Sequence, residues 1–60
     1  MDRLLRRSEV EDQVALKRSA IYELMSENKF PKPLRVAGRA VRWSQADIQQ
    51  WIESTKAGAA

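Results

Sequence analysis

The stretch Phe30-Pro31-Lys32-Pro33-Leu34-Arg35-Val36-Ala37-Gly38-Arg39-Ala40-Val41-Arg42-Trp43 changes the period of the chain. Pro31 and Pro33 forbid helix. After them Leu34, Val36, Val41 and Trp43 alternate with Arg35 and Arg42, which is strand spacing. Gly38 suits the first central position of a type II′ turn, so Gly38-Arg39 is predicted as the loop of a two-stranded hairpin. That register sets Val36 against Val41 and Leu34 against Trp43 on an inner face. It sets Arg35 against Arg42 on the outer face.

The periodicity on both sides of this hairpin is helical. Met1 to Arg7 is a short basic lead-in, with Leu4 and Leu5 as anchors to the core. Ser8-Glu9-Val10-Glu11 fits a capping box, an N-cap Ser with an acid three residues on. It predicts a first helix over 9–14 with Val10 and Val14 one turn apart. Ala15-Leu16-Lys17 breaks the pattern, and Leu16 is expected to plug the gap between two helices. The second helix runs over 18–27 and buries Ile21, Leu24 and Met25. Asn28 tolerates left-handed backbone angles and suits the helix C-cap, and Phe30 is a buried anchor. Ser44-Gln45-Ala46-Asp47 opens a third helix that carries Ile48, Trp51 and Ile52 on one face and ends near Thr55. The tail 56–60 is expected to fray. The expected fold is mostly α with a small β-hairpin: a single domain over 1–60, with a helix-turn-helix at about 8–27, a wing at about 34–43 and a C-terminal helix at about 44–55. Three helices and a two-stranded ribbon are expected.

Charge is distributed unevenly. Seven of the eleven Lys and Arg residues lie between Lys17 and Trp43, against the two acids Glu23 and Glu27, a net of +5. The stretches 1–16 and 44–60 each carry −1. A clustered basic stripe points to a polyanionic partner, most often nucleic acid. No apolar run approaches the ~20 residues that cross a bilayer, so no membrane partner is expected. No signal peptide is visible and there is no Cys, which makes the cytoplasm the expected location. The absence of Cys and His removes thiol nucleophiles, histidine acid/base chemistry and ordinary zinc sites. Glu9, Glu11 and Asp12 have the chemistry to hold Mg²⁺, but acids in a first helical turn are better explained by the helix dipole. No enzyme activity, metal or cofactor is expected.

In a helix-turn-helix the second helix lies in the major groove of DNA, its N-terminal half nearest the bases. With Ile21, Leu24 and Met25 inward, Ser19, Tyr22, Glu23 and Ser26 face out, flanked by Arg18. Arg pairs with guanine edges, Ser with a base or phosphate, and Tyr with phosphate or a thymine methyl. The base-reading candidates are Arg18, Ser19, Tyr22 and Ser26. Glu23 is able to accept from a cytosine amine but is read as solvated at the groove's edge. Lys17, Lys29 and Lys32 are assigned to backbone phosphate. Arg35, Arg42 and Arg39 at the tip are expected to form a ridge whose mutual repulsion phosphates relieve, gripping the backbone or entering the minor groove. Phe30, Trp43 and Trp51 are read as core, with Leu34, Val36, Ile48 and Ile52, rather than as base-stacking platforms.

Four runs carry a family resemblance: Arg18-Ser19-Ala20-Ile21-Tyr22-Glu23-Leu24-Met25, Phe30-Pro31-Lys32-Pro33, Gly38-Arg39-Ala40-Val41-Arg42-Trp43 and Ile48-Gln49-Gln50-Trp51-Ile52. Over roughly 5–54 the chain resembles the AlpA family of phage-type regulators, which belong with the excisionase-like and MerR-like winged helix-turn-helix proteins. The resemblance implies a winged helix-turn-helix of three helices and a two-stranded wing, a double-stranded DNA partner, a recognition helix around Arg18–Ser26, a wing at Arg35–Arg42, and transcriptional regulation of prophage or mobile-element genes. Three departures stand out. Ala15-Leu16-Lys17 replaces a frequent Gly-Leu-Ser, which removes a good N-cap. Ala20 stands where Thr is common, and Glu23 where a basic or polar residue is frequent. These departures bear on the target sequence rather than on the fold.

Two uses of DNA binding compete. One is transcriptional control near a promoter. The other is an excisionase-type directionality role, in which copies of the chain on adjacent sites bend DNA for an integrase. A reading from a different class is a module that docks on an integrase, a polymerase or other transcription machinery, or a response regulator, using the acid-rich first helix.

Overall fold

A computed structural model describes residues 2–58. The order of elements is β1 (Leu4–Leu5), α1 (Arg7–Val14), α2 (Arg18–Ser26), β2 (Leu34–Ala37), β3 (Ala40–Ser44) and α3 (Gln45–Gly58). The strands form one antiparallel sheet in the order β1-β3-β2. The fold is a winged helix-turn-helix: three helices and a hairpin wing, with β1 as an addition to the sheet.

The lead-in is anchored through strand pairing as well as through a buried side chain. Leu5 pairs with Trp43 and Leu4 with Ser44. Strand alternation turns Leu5 fully inward and leaves Leu4 exposed, so only one of the two expected anchors reaches the core. The segment is also tied to the start of α3. Asp2 Oδ1 accepts from the Ala46 backbone N–H at 3.0 Å, Asp2 Oδ2 accepts from the Ser44 hydroxyl, and the Arg3 carbonyl accepts from the Gln45 N–H at 2.7 Å. A helix start leaves its first N–H groups without intrahelical partners, and here a distant carboxylate supplies one. Ser44 takes its expected capping place, its Oγ accepting from the Asp47 N–H at 3.2 Å. The Ser44 hydroxyl and the Ala46 N–H, in that order, hold the Asp2 carboxyl below its ordinary value of 3.8.

The start of α1 differs from the expected one. The helix begins at Arg7 with Arg6 at the N-cap, not with Ser8. Glu9 is then the third helical residue, and its Oε1 accepts from the Arg6 N–H at 2.9 Å. The sequence holds two overlapping boxes, and β1 decides between them by ending the extended chain at Leu5. Glu11, the acid of the other box, pairs with Arg7 at 3.1 Å instead. At the far end α3 continues past Thr55 to Gly58, so residues 56–58 of the expected tail are helical. Residues 59 and 60 lie outside the described residues.

The buried core takes Leu5 from β1, Val10 from α1, Ile21 from α2, Phe30 from the connector, Trp43 from β3 and Ile48 from α3. Val14, Leu16, Leu24, Met25, Val41, Trp51 and Ile52 pack around it. Full burial of a side chain of this size stabilises by ~1.5–3 kcal/mol. Phe30 meets Trp51 edge-on at 4.9 Å between centroids. Both indole N–H groups hold the connector: Trp43 donates to the Pro31 carbonyl at 3.0 Å and Trp51 to the Lys29 carbonyl at 2.8 Å. The Phe-Pro-x-Pro run and the two tryptophans thus form one structural unit. Pro31 cannot donate a hydrogen bond, but its carbonyl is free to accept one.

The hairpin corrects the predicted register. Ala37 pairs with Ala40, so Gly38-Arg39 is the loop, with Gly38 at φ 51°. Arg35 then pairs with Val41 and Leu34 with Arg42, because Val36 is an extra, unpaired residue between Arg35 and Ala37. One bulged residue moves every position before it. Leu34 and Val36, expected inside, are 48% and 44% exposed. Paired residues share a sheet face, so Arg35 lies on the face of Val41 and Arg42 on that of Leu34. The expected three-arginine ridge is absent: the bulge parts the two like charges that would have faced each other.

Candidate nucleic-acid interface

The helix-turn-helix is built from one strained residue and one well-made cap. Ala15 ends α1 at φ 58°, ψ 36°, a left-handed conformation that costs a non-glycine residue roughly 1–2 kcal/mol. Leu16 reaches the core, as expected, and Lys17 is the N-cap of α2. No side chain caps this end, which follows from Lys standing where a Ser or Thr would accept a hydrogen bond. At the other end Asn28 takes φ 59°. Its N–H donates to the Met25 carbonyl at 3.1 Å and the Lys29 N–H donates to the Leu24 carbonyl at 2.8 Å, the two bonds of a Schellman motif. This fixes where the connector leaves α2.

Of the base-reading candidates, Arg18, Ser19, Tyr22 and Ser26 are all exposed, and only Ile21 of α2 is fully buried. Two of the four are already engaged within the helix. The Arg18 guanidinium carbon sits 5.5 Å from the Tyr22 ring centroid, a cation–π pair one turn apart. The Ser26 hydroxyl donates to the Glu23 carbonyl at 2.7 Å, so its hydrogen is directed away from solvent. Ser19 makes no such bond among the described residues, and neither does the Glu23 carboxylate.

Lys17, Lys32, Arg35 and Arg39 are exposed, and Lys32 stands between the two connector prolines. Lys29 is also exposed and lies 3.6 Å from Glu27. Lys29 and Lys32 both line an open groove of ≈ 490 Å³, together with Phe30, Pro31 and Trp51. Asn28 lines the same groove, as do Asp47, Gln50 and Ser54 of α3; nothing in the sequence marks these three as site residues, because their proximity to the connector follows from α3 packing across it. Arg42 is half-buried, its Nη1 donating to its own Val41 carbonyl at 2.7 Å.

The ion pairs separate the molecule into two parts. Arg3 pairs with Glu9, Arg7 with Glu11, Lys29 with Glu27 and Lys56 with Glu53. Of the four cations outside the stretch 17–43, three therefore have an acidic partner among the described residues. Of the seven inside it, six have none: Lys17, Arg18, Lys32, Arg35, Arg39 and Arg42. Most of the positive charge that the sequence concentrates thus has no acidic partner among the described residues.

Among the described residues no group of three or more Asp or Glu is placed to hold a metal ion. No helix there is long and apolar enough to cross a membrane.

Comparison with known proteins agrees with the resemblance carried by the four sequence runs. The chain is similar to uncharacterized protein ORF88 of Enterobacteria phage P4, with 35% identity over 57 residues, 95% of this chain and 65% of that protein. It thus spans just under two thirds of the length of that relative. The family described as prophage CP4-57 regulatory protein (AlpA) matches residues 3–56, from β1 through most of α3. The chain belongs to the AlpA family of prophage regulatory proteins.

Proposed function

We propose that this protein binds double-stranded DNA sequence-specifically and so regulates transcription of prophage or mobile-element genes. The observation that carries the proposal is the set of six cations without acidic partners among the described residues, all between Lys17 and Arg42 and all on α2, its N-cap, the connector or the hairpin. Phosphates compensate such charges and release condensed counterions as they do so.

In this reading α2 enters the major groove. Ser19 and Tyr22 meet bases or phosphate, Arg18 leaves the Tyr22 ring for a guanine edge, and Ser26 contributes through its oxygen lone pairs. Lys17, Lys29 and Lys32 contact phosphate. Arg39, at the hairpin tip, and Arg35 and Arg42, on opposite ribbon faces, grip the adjacent backbone or minor groove. A ribbon with cations on both faces suits a groove walled by phosphate on both sides. The role is non-catalytic, needs no cofactor and belongs in the cytoplasm, where the duplex is.

A salt titration with a duplex selected from a random pool tests this directly. With about five phosphates neutralised, log K falls against log salt with a slope near −4 to −5. A slope near zero contradicts the proposal. A bending assay on duplexes with several site copies distinguishes promoter control from the excisionase-type role: cooperative filling with progressive bending belongs to the latter.

A further inference from the structure

Glu23 is electrostatically misplaced, and no cation or hydrogen-bond donor among the described residues compensates its carboxylate. It stands in the last turn of the nine-residue α2, where the helix dipole disfavours an acid. Glu27 follows it by four residues, so two like charges share one edge of the helix. It is exposed, and no Lys or Arg among the described residues lies within ion-pair distance, although its stretch of chain is the most basic in the molecule. Its backbone carbonyl accepts from Ser26, but its carboxylate accepts from no group there. Folding therefore gains no ion pair or hydrogen bond from this carboxylate among the described residues. A surface meant only for phosphate would gain from losing it.

A carboxylate on the outer face of a major-groove helix has one favourable partner there, an exocyclic base amine, and its best match is the N4 amine of cytosine. Glu23 lies one turn after Ser19, whose side chain makes no hydrogen bond among the described residues, whereas its neighbours Tyr22 and Ser26 are engaged within the helix. We propose that Glu23 is a specificity-determining residue that accepts a hydrogen bond from one cytosine of the operator and repels duplexes lacking it. The inference rests on the DNA-binding reading above. It deepens that reading by making discrimination, rather than affinity, the role of this carboxylate on the reading face.

The test compares the wild-type chain with Glu23→Gln and Glu23→Ala. A site is selected from a random duplex pool with the wild type, and all three proteins are then titrated against it and against each single base-pair substitution. The wild type is expected to require a C·G pair at one position and to lose about 5- to 100-fold when it is replaced. Both variants are expected to flatten the preference at that position only, to bind random duplex as well as the wild type or better, and to melt no lower than it. Variants that bind every duplex more tightly by one common factor would make Glu23 a repulsive bystander and overturn the assignment. A fall in melting temperature of several degrees would make it a structural residue and overturn it too. A wild type that retains no duplex from the pool removes the DNA-binding reading itself, whereas a wild type that binds with unaltered preferences in the variants removes only the role of Glu23.

Discussion

The two strands of the wing are hydrogen-bonded neighbours with similar alternation of apolar and basic residues, yet they have opposite fates. β3 buries Trp43 and Ser44 and half-buries Ala40, Val41 and Arg42, while all four residues of β2 are exposed. Position in the sheet makes the difference. β3 is central, paired on one side with β1 and on the other with β2, and it packs against α1 and α3. β2 is an edge, and the bulge at Val36 turns it further from the core. Alternation reports that a segment is a strand. What covers each face is set by neighbours that alternation does not encode. The uncovered strand is also the one whose arginine, Arg35, is most open to a partner.

The strongest way to break this contrast is to attack its buried side. Trp43→Ala removes a side chain that is 1% exposed and the hydrogen bond that holds Pro31. It should cost about 3–5 kcal/mol, enough to unfold so small a domain. Thermal or denaturant melts report the loss, and an unchanged transition would contradict the central place given to β3.

Deleting Val36 sharpens the contrast. The pairs Arg35–Val41 and Ala37–Ala40 need no residue between them on β3, so the ladder closes and the hairpin straightens. Stability should change by less than about 1 kcal/mol, because Val36 is unpaired and exposed. DNA affinity should fall more, since a bulge re-aims the residues beyond it, here the Arg39 tip. A melt that collapses on this deletion would show that Val36 packs after all.

A third experiment addresses the tie between the N-terminal segment and β3. The Asp2 carboxyl titrates below 3.8 in the folded chain. Its contribution to stability is thus complete above that value and is lost as pH falls through the lower folded-state value. Asp2→Asn should flatten the acid limb of the stability profile below about pH 4 and leave the Schellman cap of α2 untouched, as urea melts across pH would report. An unchanged acid limb would show that the Ser44 and Ala46 contacts add no stability. The smallest effect belongs to Leu34→Ala on the exposed strand, at or below about 0.5 kcal/mol by the same melts.

Much of the fold was legible in the sequence, for identifiable reasons. The i, i+3, i+4 spacing located α2 to within a residue of its end, and Asn28 marked the left-handed position that stops it. Gly38 marked the turn, and Phe30, Trp43 and Ile48 declared themselves as core. Three features left no local signal. A two-residue strand is too short for any period, so nothing in the sequence sets β1 apart from the lead-in. The bulged residue is Val, the side chain most expected in a regular strand, so Leu34-Arg35-Val36 looks the same with or without it. Finally, Arg6–Glu9 and Ser8–Glu11 compete as helix starts, and only the pairing of β1 chooses between them. The cationic candidates were visible as a charge cluster, but that most of them lack acidic partners, and that Arg18 and Ser26 are engaged within α2, are facts of packing.

The central claim is that α2 and the wing act on DNA while the paired, buried remainder supports them. Backbone amide shifts recorded as a selected duplex is added at low ionic strength test it most directly. The account predicts perturbations concentrated in Lys17–Lys32 and Leu34–Arg42, with the second half of α3 largely unmoved. Amides in both stretches that stay in place as duplex is added would contradict it.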